Sequence, residues 1–122
     1  MHTKLGFRLI LASVAMLPAG SLFAQDPAGK ATFAQCSVCH STDGSNGVGP
    51  SLKGVVGRKA GDFAGFRFSR ALKASGLVWD EKSLDLYLTD PQKAVPGNVM
   101  PFAGLADPKL RAALIAYLAS LK

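Results

Sequence analysis

The chain is poor in the side chains that handle metals and protons. In 122 residues it has two cysteines, two histidines, three methionines and one tryptophan. A structural zinc centre asks for four Cys or His ligands, and once His2 is given to the leader read below, the two Cys and one His that remain cannot supply them without carboxylates. There is no run of basic residues: Lys53, Arg58, Lys59, Arg67, Arg70, Lys73 and Lys93 are scattered. That argues against a nucleic-acid footprint, which gathers charge on one stripe. The only long apolar stretch, "LILASVAML", is too short to span a bilayer. No internal repeat, low-complexity tract or convincing strand pattern is visible, so repeat and β architectures are set aside.

What is present at the start is a leader pattern. Lys4 and Arg8 precede the apolar run, Pro18, Ala19, Gly20 and Ser21 break it, and "SLFA" ends at Ala24. The pattern predicts a signal peptide over residues 1–24, cut after Ala24, with a cut after Ser21 or an uncleaved helix as alternatives. Export places the two thiols in an oxidising compartment. The leader holds two of the 14 Lys and Arg and none of the 8 Asp and Glu. Residues 25–122 therefore form one small domain of net charge +4 rather than the +6 of the whole chain. That excess is either a solvated surface or an attraction for an acidic partner.

The mature segment reads as helices and loops. Asp26-Pro27 predicts a first helix to about Gln35, with Asp as cap, Pro in the first turn and Phe33 as its apolar anchor. Ser69 caps a short helix closed by Gly76. Asp80 caps another, on which Leu84, Tyr87 and Leu88 share a face. Asp90-Pro91 ends that helix and starts one more turn. Asp107-Pro108 opens the last helix, where Leu110, Leu114, Leu118 and Leu121, joined by Tyr117, form a stripe expected to bury against the first helix. Residues 41–65 form a loop with seven glycines and no apolar periodicity, and such a loop normally wraps something. The apolar inventory is small for so much loop, and a large apolar cofactor at the centre would make up the shortage.

The chemistry centres on "FAQCSVCHSTDG". Cys36 and Cys39 lie about one helical turn apart, with His40 directly after. Such a pair is a redox disulfide, part of a zinc site or a haem attachment site. A thioredoxin-like disulfide wants a preceding strand and a βαβ context, which this chain lacks. The five-residue pattern matches the c-type haem signature, with His40 placed to ligate iron. Haem iron takes His, Met, Cys or Tyr on its axis. With His2, Met1 and Met16 in the leader, Met100 is the sole methionine left, between Pro96 and Pro101. It is the candidate sixth ligand, a core gap-filler and an open sixth site being the alternatives.

The chain resembles the class I c-type cytochromes, the branch similar to mitochondrial cytochrome c. The resemblance spans the mature chain: besides "CSVCH" it includes "GVGPSLKGVVGRKAG", "SGLVWDE", "LYLTDPQKAVPGNVMPFAGL" and "LIAYL". It implies an all-α fold of three main helices plus short helices and long loops wrapped around one covalent haem c, with His40 and Met100 as axial ligands. Gly29 and Tyr117 match positions where the first and last helices cross. Pro50 matches the proline whose carbonyl accepts the far imidazole proton. Arg58 and Trp79 match positions that compensate haem propionates, Tyr87 the tyrosine near the methionine sulfur, and Phe102 the aromatic at the haem edge. Phe68, Leu72, Asn98 and Val99 depart from the usual tyrosine, asparagine, threonine and lysine. Asn98 keeps a side-chain donor. The segment from Gly29 to Cys36 is one residue shorter than usual.

The implied function is that of a soluble, monomeric, periplasmic carrier of single electrons and not an enzyme. Its partners would be redox proteins: a quinol-oxidising complex upstream, and an oxidase, reductase or photosynthetic centre downstream. Two rivals remain at this level: a peroxide- or gas-binding haem protein with an easily displaced Met100, and the dedicated subunit of one dehydrogenase.

Overall fold

Every helix among the described residues begins where a short polar side chain can take up orphan amide protons. In the computed structural model, which describes residues 26–122, the chain forms α1 (Pro27–Phe33), α2 (Arg70–Ala74), α3 (Glu81–Thr89), α4 (Pro91–Ala94) and α5 (Pro108–Ser120). The leader expected over residues 1–24 lies outside these residues. The caps are Asp26, Ser69, Asp80, Asp90 and Asp107, each accepting from a backbone N–H at the second or third position of its helix. Each such cap is worth about 1 kcal/mol. Proline fills the first position of α1, α4 and α5, where its missing N–H costs nothing. At α3 the cap is reciprocal, since the Asp80 N–H is itself bonded by the Ser83 hydroxyl. Asp80 and its helix start hold each other: the two Ser83 contacts pull the Asp80 carboxyl below the usual carboxylate range.

α1 ends at Phe33, short of Gln35, because the chain loosens into separate turns there. The amides of Cys36 and Ser37 both return to the Phe33 carbonyl, and that of His40 to the Cys36 carbonyl at 3.0 Å. These turns carry both thiols and the imidazole inward. Among the described residues no strand forms; a single antiparallel bridge joins Lys59 to Val78.

α1 packs across α5, and α5 also packs on α3, which in turn holds α4. The α1–α5 crossing is close because Gly29 is buried against Ala113 and Tyr117. Phe33 and Tyr117 close it with ring centroids 5.1 Å apart. The stripe expected on α5 is too narrow. Leu114 and Leu118 are buried as expected, but Leu110, Tyr117 and Leu121 are only partly so, while Arg111, Ala113 and Ile115 are buried as well. A helix gripped by α1 on one side and α3 on another buries more than one face. Arg111 is tolerated inside because its donors are satisfied: Nε bonds Asp85 at 2.8 Å, and Nη1 donates to the Leu105 and Ala106 carbonyls, both at 2.9 Å.

Gly29 offers a test in which two effects oppose. Alanine gains about 1 kcal/mol over glycine inside a helix. Here its Cβ would fall on the Ala113 carbonyl, 2.9 Å from the carbonyl carbon and 3.0 Å from Tyr117 Cβ. Overpacking costs about 1–3 kcal/mol, and backbone cannot yield as a side chain does. Gly29→Ala is therefore expected to lower the stability of the holoprotein by up to about 2 kcal/mol in guanidine unfolding, once the helical gain is subtracted. A variant as stable as the parent would show that the crossing is not tight.

Candidate haem site

The glycine-rich loop turns back onto the residues that follow the thiols. The Gly49 amide donates to the Cys39 carbonyl at 2.9 Å, and that of Leu52 to the Ser41 carbonyl at 2.9 Å. Buried Ser51 ties the same bend, its hydroxyl accepting from the Gly44 and Lys53 amides at 3.0 and 3.2 Å. The bend sets the Pro50 carbonyl 2.7 Å from His40 Nδ1. A carbonyl only accepts, so Nδ1 carries a proton, and the neutral tautomer this contact selects is the one with its lone pair at Nε2. Gly49 lets the loop lie flat on the imidazole. A Cβ there would sit 2.6 Å from His40 Cε1 and 2.7 Å from Nδ1.

Beside His40 lies a cavity of about 270 Å³, partly open to solvent. Core residues Leu84, Leu88, Leu114 and Leu118 wall it, together with Val55 and Trp79. Cys36, Cys39, Pro50, Arg58, Tyr87 and Met100 all border the same space. Each site residue expected from the sequence therefore meets at one cavity. Both cysteines are unbridged and half-buried, and burial, followed by the neighbouring Cys39, pushes the Cys36 thiol up. No group of three metal-ligating His, Cys, Asp or Glu side chains occurs among the described residues.

The polar groups of the cavity differ in how they are satisfied. Arg58 donates through Nη1 to the Ser51 carbonyl at 3.0 Å and through Nη2 to the Lys53 carbonyl at 2.6 Å. Its guanidinium also stands 4.2 Å over the Phe63 ring, and burial pulls its pKa down, partly offset by Asp62. Trp79 is tied to it through the backbone, its amide donating to the Arg58 carbonyl at 2.9 Å. The Trp79 and Tyr87 rings pack at 4.9 Å. Neither the Trp79 indole N–H nor the Tyr87 hydroxyl has a hydrogen-bond partner among the described residues, and no buried polar side-chain atom there is orphaned. Both groups are therefore accessible rather than sealed in the core, and both residues line the cavity. Burial pushes the Tyr87 phenol up to about 12, so it stays a neutral donor.

Asn98 keeps the side-chain donor expected from the sequence and uses it on the backbone. It is buried, and both its donor bonds go to backbone carbonyls of Pro91 and Val95, at 2.9 Å each. Phe102 borders the cavity, as do Phe68 and Leu72, so those two departures from the family pattern make its wall more apolar. Val99 stands 76% exposed.

An apolar cavity, two unbridged cysteines at its edge, an imidazole with one nitrogen already bonded and two lining residues with unpartnered N–H/O–H donors fit a covalently attached haem. The protein class this defines is a haem-carrying, all-helical c-type cytochrome. Residues 27–122 match the family model described as Cytochrome c. The chain is 59% identical over 90 residues to cytochrome c2 iso-2 of Magnetospirillum fulvum, which covers 73% of this chain and 94% of that one. It is 54% identical over 100 residues to cytochrome c2 iso-2 of Magnetospirillum molischianum, covering 81% and 100%. The solved structure of cytochrome cH from Methylobacterium extorquens is similar with a TM-score of 0.73 at 54% identity, over 75% of this chain and 94% of that one. The chain belongs to the cytochrome c family and carries one haem c, attached through Cys36 and Cys39.

Gly49 tests how the imidazole is held. Gly49→Ala is expected to push the ring off Pro50, seen by NMR as loss of a protected His40 Nδ1 proton that the parent holoprotein shows. Retention of that proton would mean the ring does not depend on the bare backbone at Gly49.

Proposed function

We propose that this protein is an exported electron carrier whose haem iron is held by His40 and Met100. One observation supports the reading most: His40 and the sole methionine outside the leader border a single cavity with both attachment cysteines. Haem iron, when bound, supplies a one-electron couple. The protein's own contribution is to hold two axial groups that need not move. His40 is fixed through Pro50, which also makes it a stronger donor. Met100 offers a soft thioether, which favours the ferrous state and so raises the potential. Because Met100 would fill the sixth position, small ligands are kept out and substrate chemistry at iron is suppressed.

Trp79 and Tyr87 are the residues proposed to face the polar parts of the site. The indole N–H is assigned to a propionate and the phenol to the methionine sulfur. Arg58 is proposed to compensate the propionates by charge more than by direct bonding, since two of its arms already bind the Ser51 and Lys53 carbonyls. Electrons pass to and from redox partner proteins, as in cytochrome c carriers generally. Residues 1–24 act as the signal peptide and the domain over 25–122 works in the periplasm. No helix among the described residues is long and apolar enough to cross a membrane.

Met100→Ala is expected to keep the covalent haem but to lose the weak near-red ferric band of sulfur ligation and to bind carbon monoxide rapidly when ferrous. The parent should do neither, and an unchanged spectrum in the variant would show that Met100 is not the ligand. Intact mass of the exported protein should equal residues 25–122 plus one haem. A full-length mass would overturn the leader assignment.

A further inference from the structure

Met100 stands in a stretch with no helix of its own, between the end of α4 at Ala94 and the start of α5 at Pro108. Something other than helical hydrogen bonding must set its position. On its N-terminal side that task falls to two side chains. Asn98 Oδ1 accepts from the Met100 N–H at 3.0 Å, an Asx turn that fixes the direction in which Met100 leaves the backbone. Asn98 Nδ2 donates to Pro91 and Val95, at the first turn and the cap of α4. Gln92, on α4 itself, donates through Nε2 to the Asn98 carbonyl at 2.8 Å and accepts from the Gly97 amide at 3.3 Å. Each of the two peptides leading into Met100 is thus held by a side chain, the Asn98–Val99 carbonyl by Gln92 and the Val99–Met100 amide by Asn98.

Asn98 is only 6% exposed, whereas its neighbour Val99 is 76% exposed. A buried amide with its donors and its acceptor all engaged is costly to displace, because each group leaves a bond it cannot replace locally. We propose that Asn98 is a positioning residue for Met100, the amide locking the ligand segment onto α4 and so setting how readily the methionine yields to a competing ligand. This rests on the reading of Met100 as the sixth ligand. A hydroxyl at this position could not engage two carbonyls as donor and the Met100 amide as acceptor at once, since it carries a single proton.

The experiment titrates ferric holoprotein with imidazole, followed optically, for the parent, Asn98→Ala, Val99→Ala and Met100→Ala, and for Asn98→Ala combined with Met100→Ala. Asn98→Ala should bind imidazole about tenfold or more tightly than the parent, equivalent to about 1.4 kcal/mol of lost Met100 hold. Val99→Ala should match the parent. With Met100 already removed, Asn98→Ala should add less than about a twofold change, because nothing remains for it to position. Unchanged affinity in Asn98→Ala, or the same shift with and without Met100, overturns the role of Asn98 and leaves the ligand assignment standing. If Met100→Ala binds imidazole no better than the parent, the ligand assignment itself falls, and the proposal with it. Should Asn98→Ala not accumulate as holoprotein, Asn98→Ser is scored by the same criteria. Its hydroxyl keeps the Met100 contact and one donor, so a shift between the parent and tenfold is expected, and no shift overturns the proposal.

Discussion

The hydrogen bond from His40 to the Pro50 carbonyl is the constraint around which the rest is arranged. It selects the tautomer, aims the ring and joins the thiol-bearing turns to the glycine-rich loop. The loop's path follows from it. The chain must come back against the imidazole, and only a residue without a Cβ lets it do so at Gly49. Beyond that point the loop gains a second anchor in Ser51, whose hydroxyl collects the amides of its own bend. A segment with little apolar content is in this way ordered mainly by polar contacts near the site.

The two sides of the cavity are built on different principles. The His40 side is local in sequence, within about one loop of the attachment cysteines, and its geometry is written in short-range turns. The Met100 side is assembled from three helices. α4 holds the entry to the Met100 segment through Gln92 and Asn98. α3 receives its exit, with the Leu105 amide on the Leu88 carbonyl at 2.7 Å. α5 reaches back through Arg111 to the Leu105 and Ala106 carbonyls. Arg111 would be an oddity in a core judged by burial alone, yet here a fixed cationic fork binds one carboxylate and two carbonyls that no amide nearby serves.

Much of this was legible in the sequence where the signal is local. Asp26-Pro27, Asp90-Pro91 and Asp107-Pro108 mark helix starts because capping and the N1 proline are properties of adjacent residues. The attachment signature and the family segments around Met100 located the site, and the structure brings all eight expected site residues to one cavity. Less legible were the bonds that depend on where distant segments come to lie. Nothing next to Arg111 in the sequence marks it for burial, because its partner Asp85 lies 26 positions earlier. Arg58 reads as free to neutralise carboxylates, but two of its arms belong to the loop. The broad buried face of α5 escaped a single-stripe reading because that helix has two neighbours. Asn98 reads as a replacement for threonine and acts as a clamp, since nothing local reveals that Pro91 and Val95 turn their carbonyls toward it.

The α1–α5 crossing bears on the order in which the molecule can be completed. α1 lies at the front of the domain and α5 at its very end, so the face carrying Gly29 and Phe33 waits for nearly the whole chain before it finds a partner. The cavity is in the same position, because Leu114 and Leu118 of α5 form part of its wall. The cysteines and His40, by contrast, follow α1 directly and need nothing downstream to be reachable. Attachment chemistry thus becomes available early and enclosure late. A chain emerging from its N-terminus would present its thiols while the site is still open, and the last helix would close over what has already been bound.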